Sequence, residues 1–229
     1  MNIILLGKPG SGKGTISNEL KNHGFEVLTP GNILRQEIKK GTPIGKKLDR
    51  LFKEGQFAPS ELTNKIVGDF LNKNHDKDIV MDGYPRNEEQ WSYIKDKVDC
   101  SIVLDANDDI ISKRMVDRWV HEPSGRIYNE NFNPPKVKGF DDYTGEALIK
   151  RKDDTPEIID KRMKVYYDVT EPIVKKITSS ELFPNITINA NEQDIQNQKN
   201  QILDFVLTLK EKKEYTFKNK NKKSLFWKF

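Results

Sequence analysis

One cysteine, Cys100, and three histidines are the whole of the thiol and imidazole content of this 229-residue chain. A lone thiol excludes a disulfide framework and fits a reducing compartment. No apolar stretch approaches the roughly 18 residues needed to cross a bilayer. The chain opens on an apolar run without a basic prelude or a small-residue cleavage site, so no secretory signal is expected. Charge of one sign is also scarce. The net +4 is made by residues 210–229, where eight lysines oppose Glu211 and Glu214 for +6, leaving about −2 for the rest. The basicity belongs to a tail, read as a solvated end with disorder open, and no nucleic-acid-binding face or membrane contact is expected. The chain is expected to be intracellular and monomeric.

Hydrophobic residues make 35% of the chain and charged ones 32%, and the length suffices for one substantial domain with inserted lobes. Short β-branched runs at 2–6, 79–81 and 101–105, with weaker ones at 25–29 and 185–189, predict buried parallel strands. Helical patterns fall near 12–22, 31–40, 60–73, 87–97, 107–119, 156–178 and 192–212, with Gly24 and Gly41 as stops. This alternation predicts a three-layer α/β fold around a central parallel sheet. Residues 120–155, rich in Gly, Pro, Asp and Asn, break the rhythm and read as an inserted lobe.

Directly after the first strand stands Gly7-Lys8-Pro9-Gly10-Ser11-Gly12-Lys13-Gly14-Thr15. The spacing is that of a phosphate-binding loop, with Gly14 where Ser or Thr is usual and Thr15 following. Glycines let successive N–H groups turn inward, the helix that follows adds partial positive charge, and Lys13 adds a full one. An ordinary glycine turn leaves Lys13 and Thr15 unexplained. A signalling GTPase would also need a guanine-reading N-K-x-D motif; "NKNH" (72–75) and "NKNK" (219–222) lack its Asp.

The loop, "GNILR" (31–35), "MDGYPRNEEQ" (81–90), "RMVDRWVHEPSGRIY" (114–128), "FNPPKVKGFDDYTGE" (132–146) and "RKDD…KR" (151–162) stand in the order found in long-lid adenylate kinases, which the chain resembles over about residues 1–210. The resemblance implies an α/β P-loop fold with an inserted lid lobe and a helical NMP-binding lobe. The divisions are core 1–29, monophosphate lobe 30–59, core 60–119, lid 120–157, core 158–210 and a basic tail 211–229. It implies phosphoryl transfer from Mg·ATP to AMP, giving two ADP, with Mg²⁺ as the cofactor accompanying the nucleotide. The acceptor phosphate is already ionised, so charge neutralisation and alignment replace a general base, and arginine forks suit that task.

By the same resemblance, Lys13, Arg86, Arg118, Arg151 and Arg162 are the catalytic cations. Gly10, Ser11, Gly12, Lys13, Gly14, Thr15, Arg114, Arg118, Ile127 and Tyr128 bind ATP. Arg35, Gln56, Phe57, Ala58, Gly83, Tyr84, Pro85, Arg86, Gln90, Arg151 and Arg162 bind AMP. Asp82 orders water on Mg²⁺, and Asp153 and Asp154 hold the lid arginines. Gln90 offers an amide to the adenine edge.

Three alternatives stay open. Arg118-Trp119 resembles the mitochondrial GTP-using relatives, which keeps GTP as donor and the mitochondrial matrix, beside the cytoplasm, as a location. Pro30 stands where a Thr is usual and has neither hydroxyl nor N–H, and Arg86-Asn87 resembles UMP/CMP kinases. A non-catalytic nucleotide sensor would keep the fold without turnover. At the lid positions where some relatives bind zinc through four cysteines stand His121, Ser124, Asp141 and Thr144, so a hydrogen-bonded cluster is expected there and zinc is not. His23 and His75 read as isolated surface histidines. The lid is expected to close over the site to exclude water.

Overall fold

A computed structural model of the chain describes residues 1–151, 153–191 and 194–226. The parallel sheet has β1 (Asn2–Gly7) at its centre, between β3 (Ile79–Asp82) and β4 (Cys100–Asp105), with β2 (Glu26–Leu28) and β8 (Asn185–Asn189) at the edges. Every pairing is parallel. Side chains alternate across a strand, and β1 shows what that builds. Ile3 and Leu5 join a core with α1 (Lys13–Asn22), α6 (Asp108–Val116) and α9 (Ile195–Phe226). Ile4 and Leu6 join the opposite core with α4 (Ser60–Lys73), α5 (Glu88–Ile94) and α8 (Glu171–Thr178). A strand buried on both faces has to be apolar throughout, and the result is the expected three-layer architecture.

Two lobes stand off this core. One is the helix pair α2 (Pro30–Lys40) and α3 (Pro43–Lys53), with a small core of Leu34, Leu48 and Ala58. The other carries an antiparallel sheet in the order β6 (Ile127–Asn129), β5 (Arg118–Val120), β7 (Ile149–Lys150). No helix of the described residues is long and apolar enough to cross a membrane.

The structure departs from the sequence pattern at five places. Helix α3 went unread although Ile44, Leu48, Leu51 and Phe52 stand at helical spacing along one face. Its start signal was present, since Thr42 Oγ1 accepts the Gly45 N–H at 3.0 Å and Pro43 sits at the first helical position. The helix read over 107–119 stops at Val116, because Trp119 and Val120 pair with Tyr128 and Ile127 across β5–β6. The helix read over 87–97 is α5 followed by a 3₁₀ turn at Lys95–Lys97. The helix read over 156–178 is α7 (Pro156–Val165), a π-helical turn at Tyr166–Thr170, and α8. Finally, α9 carries helix through Phe226, into the lysine-rich end read as a solvated tail. Lys210 pairs with Asp78 at 2.6 Å and Lys213 with Asp99 at 2.8 Å, tying α9 beside the starts of β3 and β4. Residues 192–193 and 227–229, at the start of the last helical pattern and the end of the tail, lie outside the described residues.

A Cβ at Gly45 would lie 2.2 Å from the Glu37 carbonyl oxygen of α2. Backbone cannot yield as a flexible side chain does, so Gly45→Ala is expected to cost about 1–3 kcal/mol by overpacking. A thermal melt followed by circular dichroism reads this as a clear drop in Tm; an unchanged Tm contradicts the packing of α2 on α3.

Candidate active site

The site lies at the carboxyl ends of β1 and β3. Gly7 ends β1 at φ 137°, and a Cβ there would lie 2.4 Å from the Leu104 carbonyl oxygen, so only glycine turns the chain at that point. The loop then curls into α1, which starts at Lys13. Among the described residues, the N–H groups of Gly10, Gly12, Lys13 and Gly14 have no hydrogen-bond partner. They border a cavity of about 550 Å³ that also meets Thr15, Asp82, Arg114, Arg118, Ile127, Tyr128, Arg151 and Arg162. Unpaired donors at a helix start form a ready anion cradle.

Two smaller cavities adjoin it. One of about 70 Å³ is bordered by Lys13, Arg35, Gln56, Phe57, Gly83, Pro85, Arg86 and Arg162. Another, of about 30 Å³, lies among Pro30, Phe57, Ala58, Arg86 and Gln90. The fold thus gathers every residue expected to bind a nucleotide onto these walls except Tyr84, while Asp154 stands behind them. The Tyr84 ring is fully buried in the core and its hydroxyl donates to Asn64 at 2.7 Å, so this side chain borders none of the three cavities. Its aromatic bulk supports the turn that carries Gly83 and Pro85.

Six cations therefore surround one region: Lys13, Arg35, Arg86, Arg118, Arg151 and Arg162. Three carboxylates accompany them. Asp154 accepts from Arg118 Nε at 2.7 Å and from its Nη2, and from Arg162 Nη1 at 3.2 Å. Asp153 accepts from Arg35 Nη2 at 2.6 Å. Burial would raise the Asp153 carboxyl, but Arg35 and Arg162 hold it well below the usual carboxylate range. Asp82 Oδ2 accepts from Ser17 at 3.0 Å, and burial raises its carboxyl despite Lys13.

The excess of positive charge shows in the cations. Burial, against partial support from Asp82 and with repulsion from Arg86, Arg162 and Arg118, pushes Lys13 down to about 7. Burial and then Arg118 bring Arg162 to about 10, while burial and Arg35 depress both Arg151 and Arg86. The Lys13 ammonium donates to the carbonyls of Gly7 at 2.8 Å and Lys8 at 2.7 Å. Arg86 donates to the Gly83 carbonyl at 2.6 Å and lies over the Phe57 ring. Arg35 lies over Phe52, and its buried Nε has no partner among the described residues.

The lobes meet above the cavities. Arg35 pairs with Asp153, Lys39 with Glu122, and Arg151 Nη2 donates to Asn32 at 3.4 Å. This is a closed arrangement. Inside the lid, Asp141 takes both forks of Arg126 at 2.8 and 2.6 Å, the Tyr128 hydroxyl at 2.9 Å and Thr144 Oγ1 at 3.0 Å. Arg126 foremost holds its carboxyl far below the usual range. His121 bridges Ser124 at 2.7 Å and Glu146 at 2.6 Å. The four expected positions thus form one hydrogen-bonded cluster. Arg126 and Glu146 went unread as its members because a charged residue in a loop carries no partner signal. Phe132 went unread too: it borders the large cavity, with Arg114 over its ring at 5.0 Å.

With this geometry established, similarity to known proteins can be stated. Residues 5–182 match the family model described as adenylate kinase. The mitochondrial GTP:AMP phosphotransferase of Drosophila melanogaster is 40% identical over 174 residues, which cover 75% of this chain and 81% of the relative. The adenylate kinase of Malacoplasma penetrans (strain HF-2) is 42% identical over 178 residues, covering 76% and 83%.

An anion beside Lys13 stabilises its charged form, so binding must take up a proton wherever free Lys13 is neutral. At pH 8, above the value of about 7, inorganic sulfate, which does not itself titrate there, is expected to bind with nearly one proton taken up, and at pH 6 with almost none. Calorimetry in two buffers of different ionisation enthalpy reads the number; equal heats at pH 8 would contradict the depressed Lys13.

Proposed function

The chain belongs to the adenylate kinase family and is a nucleoside monophosphate kinase, and from that premise we propose that it transfers the terminal phosphate of Mg·ATP to AMP. The observation that carries this is the convergence of six cations where the large cavity meets the two small ones. The large cavity takes the donor, with its phosphates on the loop N–H groups and Lys13, and its base near Arg114 and Ile127. The small cavities take the acceptor, its phosphate held by Arg35 and Arg86. Gln90 Oε1 accepts the Arg86 N–H at 2.8 Å. That bond fixes the amide so that its NH₂ meets a ring nitrogen while the second lone pair of its oxygen accepts an exocyclic amine. Adenine presents that pair of groups. Cytosine does as well, so CMP is the competing acceptor. The name of the Drosophila relative sets GTP beside ATP as donor.

In the reaction, an acceptor phosphate oxygen attacks the terminal phosphorus as the bond to the leaving diphosphate breaks, and the attacking oxygen is already ionised. Lys13, Arg118, Arg151 and Arg162 spread the negative charge of the moving group. Asp153 and Asp154 keep the guanidinium planes aimed inward. The closed lobes exclude water that would otherwise take the phosphate.

The residues around Asp82 fit Mg²⁺. Asp82 Oδ1 has no hydrogen-bond partner among the described residues, and the Thr15 hydroxyl borders the same cavity, an oxygen set suited to a hard cation that keeps most of its waters. Bound there with the donor, Mg²⁺ supplies further neutralisation of the phosphates. In the lid we propose that the Asp141 and His121 hydrogen bonds stand in for a metal.

A panel of AMP, CMP, UMP and GMP, each with Mg·ATP and Mg·GTP, tests the assignment. ADP is expected to form fastest from AMP with ATP; no turnover on any acceptor contradicts it. Arg118→Ala and Arg162→Ala are each expected to lower kcat by roughly 10²–10³-fold, as loss of a donor aimed at developing charge does.

Pro30 begins α2 and borders the acceptor cavity with neither hydroxyl nor N–H to give. Pro30→Thr is expected to lower the AMP KM about fivefold, the worth of one hydrogen bond of roughly 1 kcal/mol. An unchanged KM in initial-rate assays counts against a missing phosphate contact.

A further inference from the structure

We infer that Lys8, held by Asp108 and Tyr167, is a positioning residue that fixes the first turn of the phosphate loop beneath the transferring group. Its side chain borders none of the three cavities. Instead the ammonium donates to Asp108 Oδ1 at 2.8 Å and lies 5.2 Å from the centre of the Tyr167 ring. The Tyr167 hydroxyl donates to the same carboxylate, 2.7 and 2.8 Å from its two oxygens. Hydrogen bonds to Asp108 and Tyr167 raise the Lys8 ammonium above its ordinary value although burial works to lower it, so the cation stays charged.

What the cluster joins gives it a role. Asp108 is the first residue of α6, which carries Arg114, and Tyr167 sits in the π-helical turn that follows α7, which carries Arg162. Lys8 lies in the loop that carries Lys13. Its own carbonyl accepts Lys13 Nζ at 2.7 Å and the Ser11 N–H at 3.2 Å, and its neighbours Gly7 and Pro9 border the acceptor-side cavity. Anchoring the Lys8 side chain therefore fixes the peptide whose oxygen holds the Lys13 ammonium.

A stabilising surface pair is the plainer account, and such pairs are worth about 0–1 kcal/mol. It suits Asp108, which is 53% exposed and favourably placed at a helix N-terminus. It leaves unexplained why the Lys8 side chain is only 15% exposed and why a π-helical turn, an irregularity that re-aims side chains, brings Tyr167 onto the same carboxylate.

The inference rests on Lys13 as a phosphate ligand. Initial rates, with melting temperatures, are measured for Lys8→Met, Lys8→Arg, Asp108→Asn, Tyr167→Phe and the double variant Lys8→Met/Asp108→Asn. Lys8→Met is expected to lower kcat about tenfold, in the range of outer supports to a catalytic group, with the acceptor KM within about twofold. Lys8→Arg should restore most of the rate, and the double variant should be no slower than the worse single one. Wild-type kcat in Lys8→Met, a Lys8→Arg as slow as Lys8→Met, or losses that add in the double variant, overturn the inference.

Should Lys8→Met fail to fold, Tyr167→Phe removes one hydroxyl and carries the same test, with a loss of about threefold, near the lower end expected for one hydrogen bond. A wild type without turnover would sink the kinase assignment instead. The role of Lys8 is then read from the affinity for tripolyphosphate at pH 7, which should fall severalfold in Lys8→Met; equal affinity overturns it.

Discussion

Mutual repulsion among six buried or half-buried cations is the constraint around which this molecule is arranged. At close range, like charges in a medium less polar than water push apart by several kcal/mol per pair, and this repulsion adds to burial, the larger cause, in depressing Lys13, Arg86, Arg151 and Arg162. Such an assembly persists only because each charge stands on an element fixed by its own hydrophobic packing. Lys13 rides on α1, whose Ile16 and Leu20 sit in the core; Arg162 rides on α7, anchored by Ile159 and Met163. The sheet and its two apolar layers thus hold the charges against their repulsion, and a polyphosphate relieves it. That relief is a driving force for binding that needs no strong general base and no covalent intermediate.

Three carboxylates keep the arrangement from being merely repulsive. Asp154 lies between Arg118 and Arg162, and Asp153 between Arg35 and Arg162, so each ties guanidinium groups from separate elements. They leave a net positive charge, which a fully neutralised site would not. Because Asp153 belongs to the lid segment and Arg35 to α2, the same bonds that aim the arginines also bring the two lobes together.

The lid shows a second solution to a charge problem. A small lobe with few apolar residues must find order elsewhere. Asp141, buried under Arg126, Tyr128 and Thr144, gives it a polar centre in which one carboxylate accepts from three side chains. His121 extends that centre to Ser124 and Glu146. A fully satisfied polar network of this kind rigidifies as a small apolar core would.

How much of this was legible beforehand follows from the range of each interaction. The strands, the glycine loop and the helix after it were written in local pattern, because burial on both faces of a parallel strand demands β-branched residues and a tight anion cradle demands glycine. The arginine set was legible through motif order, but its meeting was not, since Arg35 and Asp153 are 118 residues apart and no spacing encodes their contact. The direction of Tyr84 was not legible because a motif names neighbours in sequence without saying which way each side chain turns; its ring went to the core while Gly83 and Pro85 went to the cavity wall. Helix α3 was missed although Thr42 and Pro43 announced it and Ile44, Leu48, Leu51 and Phe52 give it an apolar face. The sequence by itself determined the layers of the fold and the kind of anion it holds, because those depend on periodicity and residue chemistry. Only the tertiary structure decided which charges converge, which carboxylates orient them and that Lys8 braces the loop from outside, because these are contacts between elements far apart in the chain.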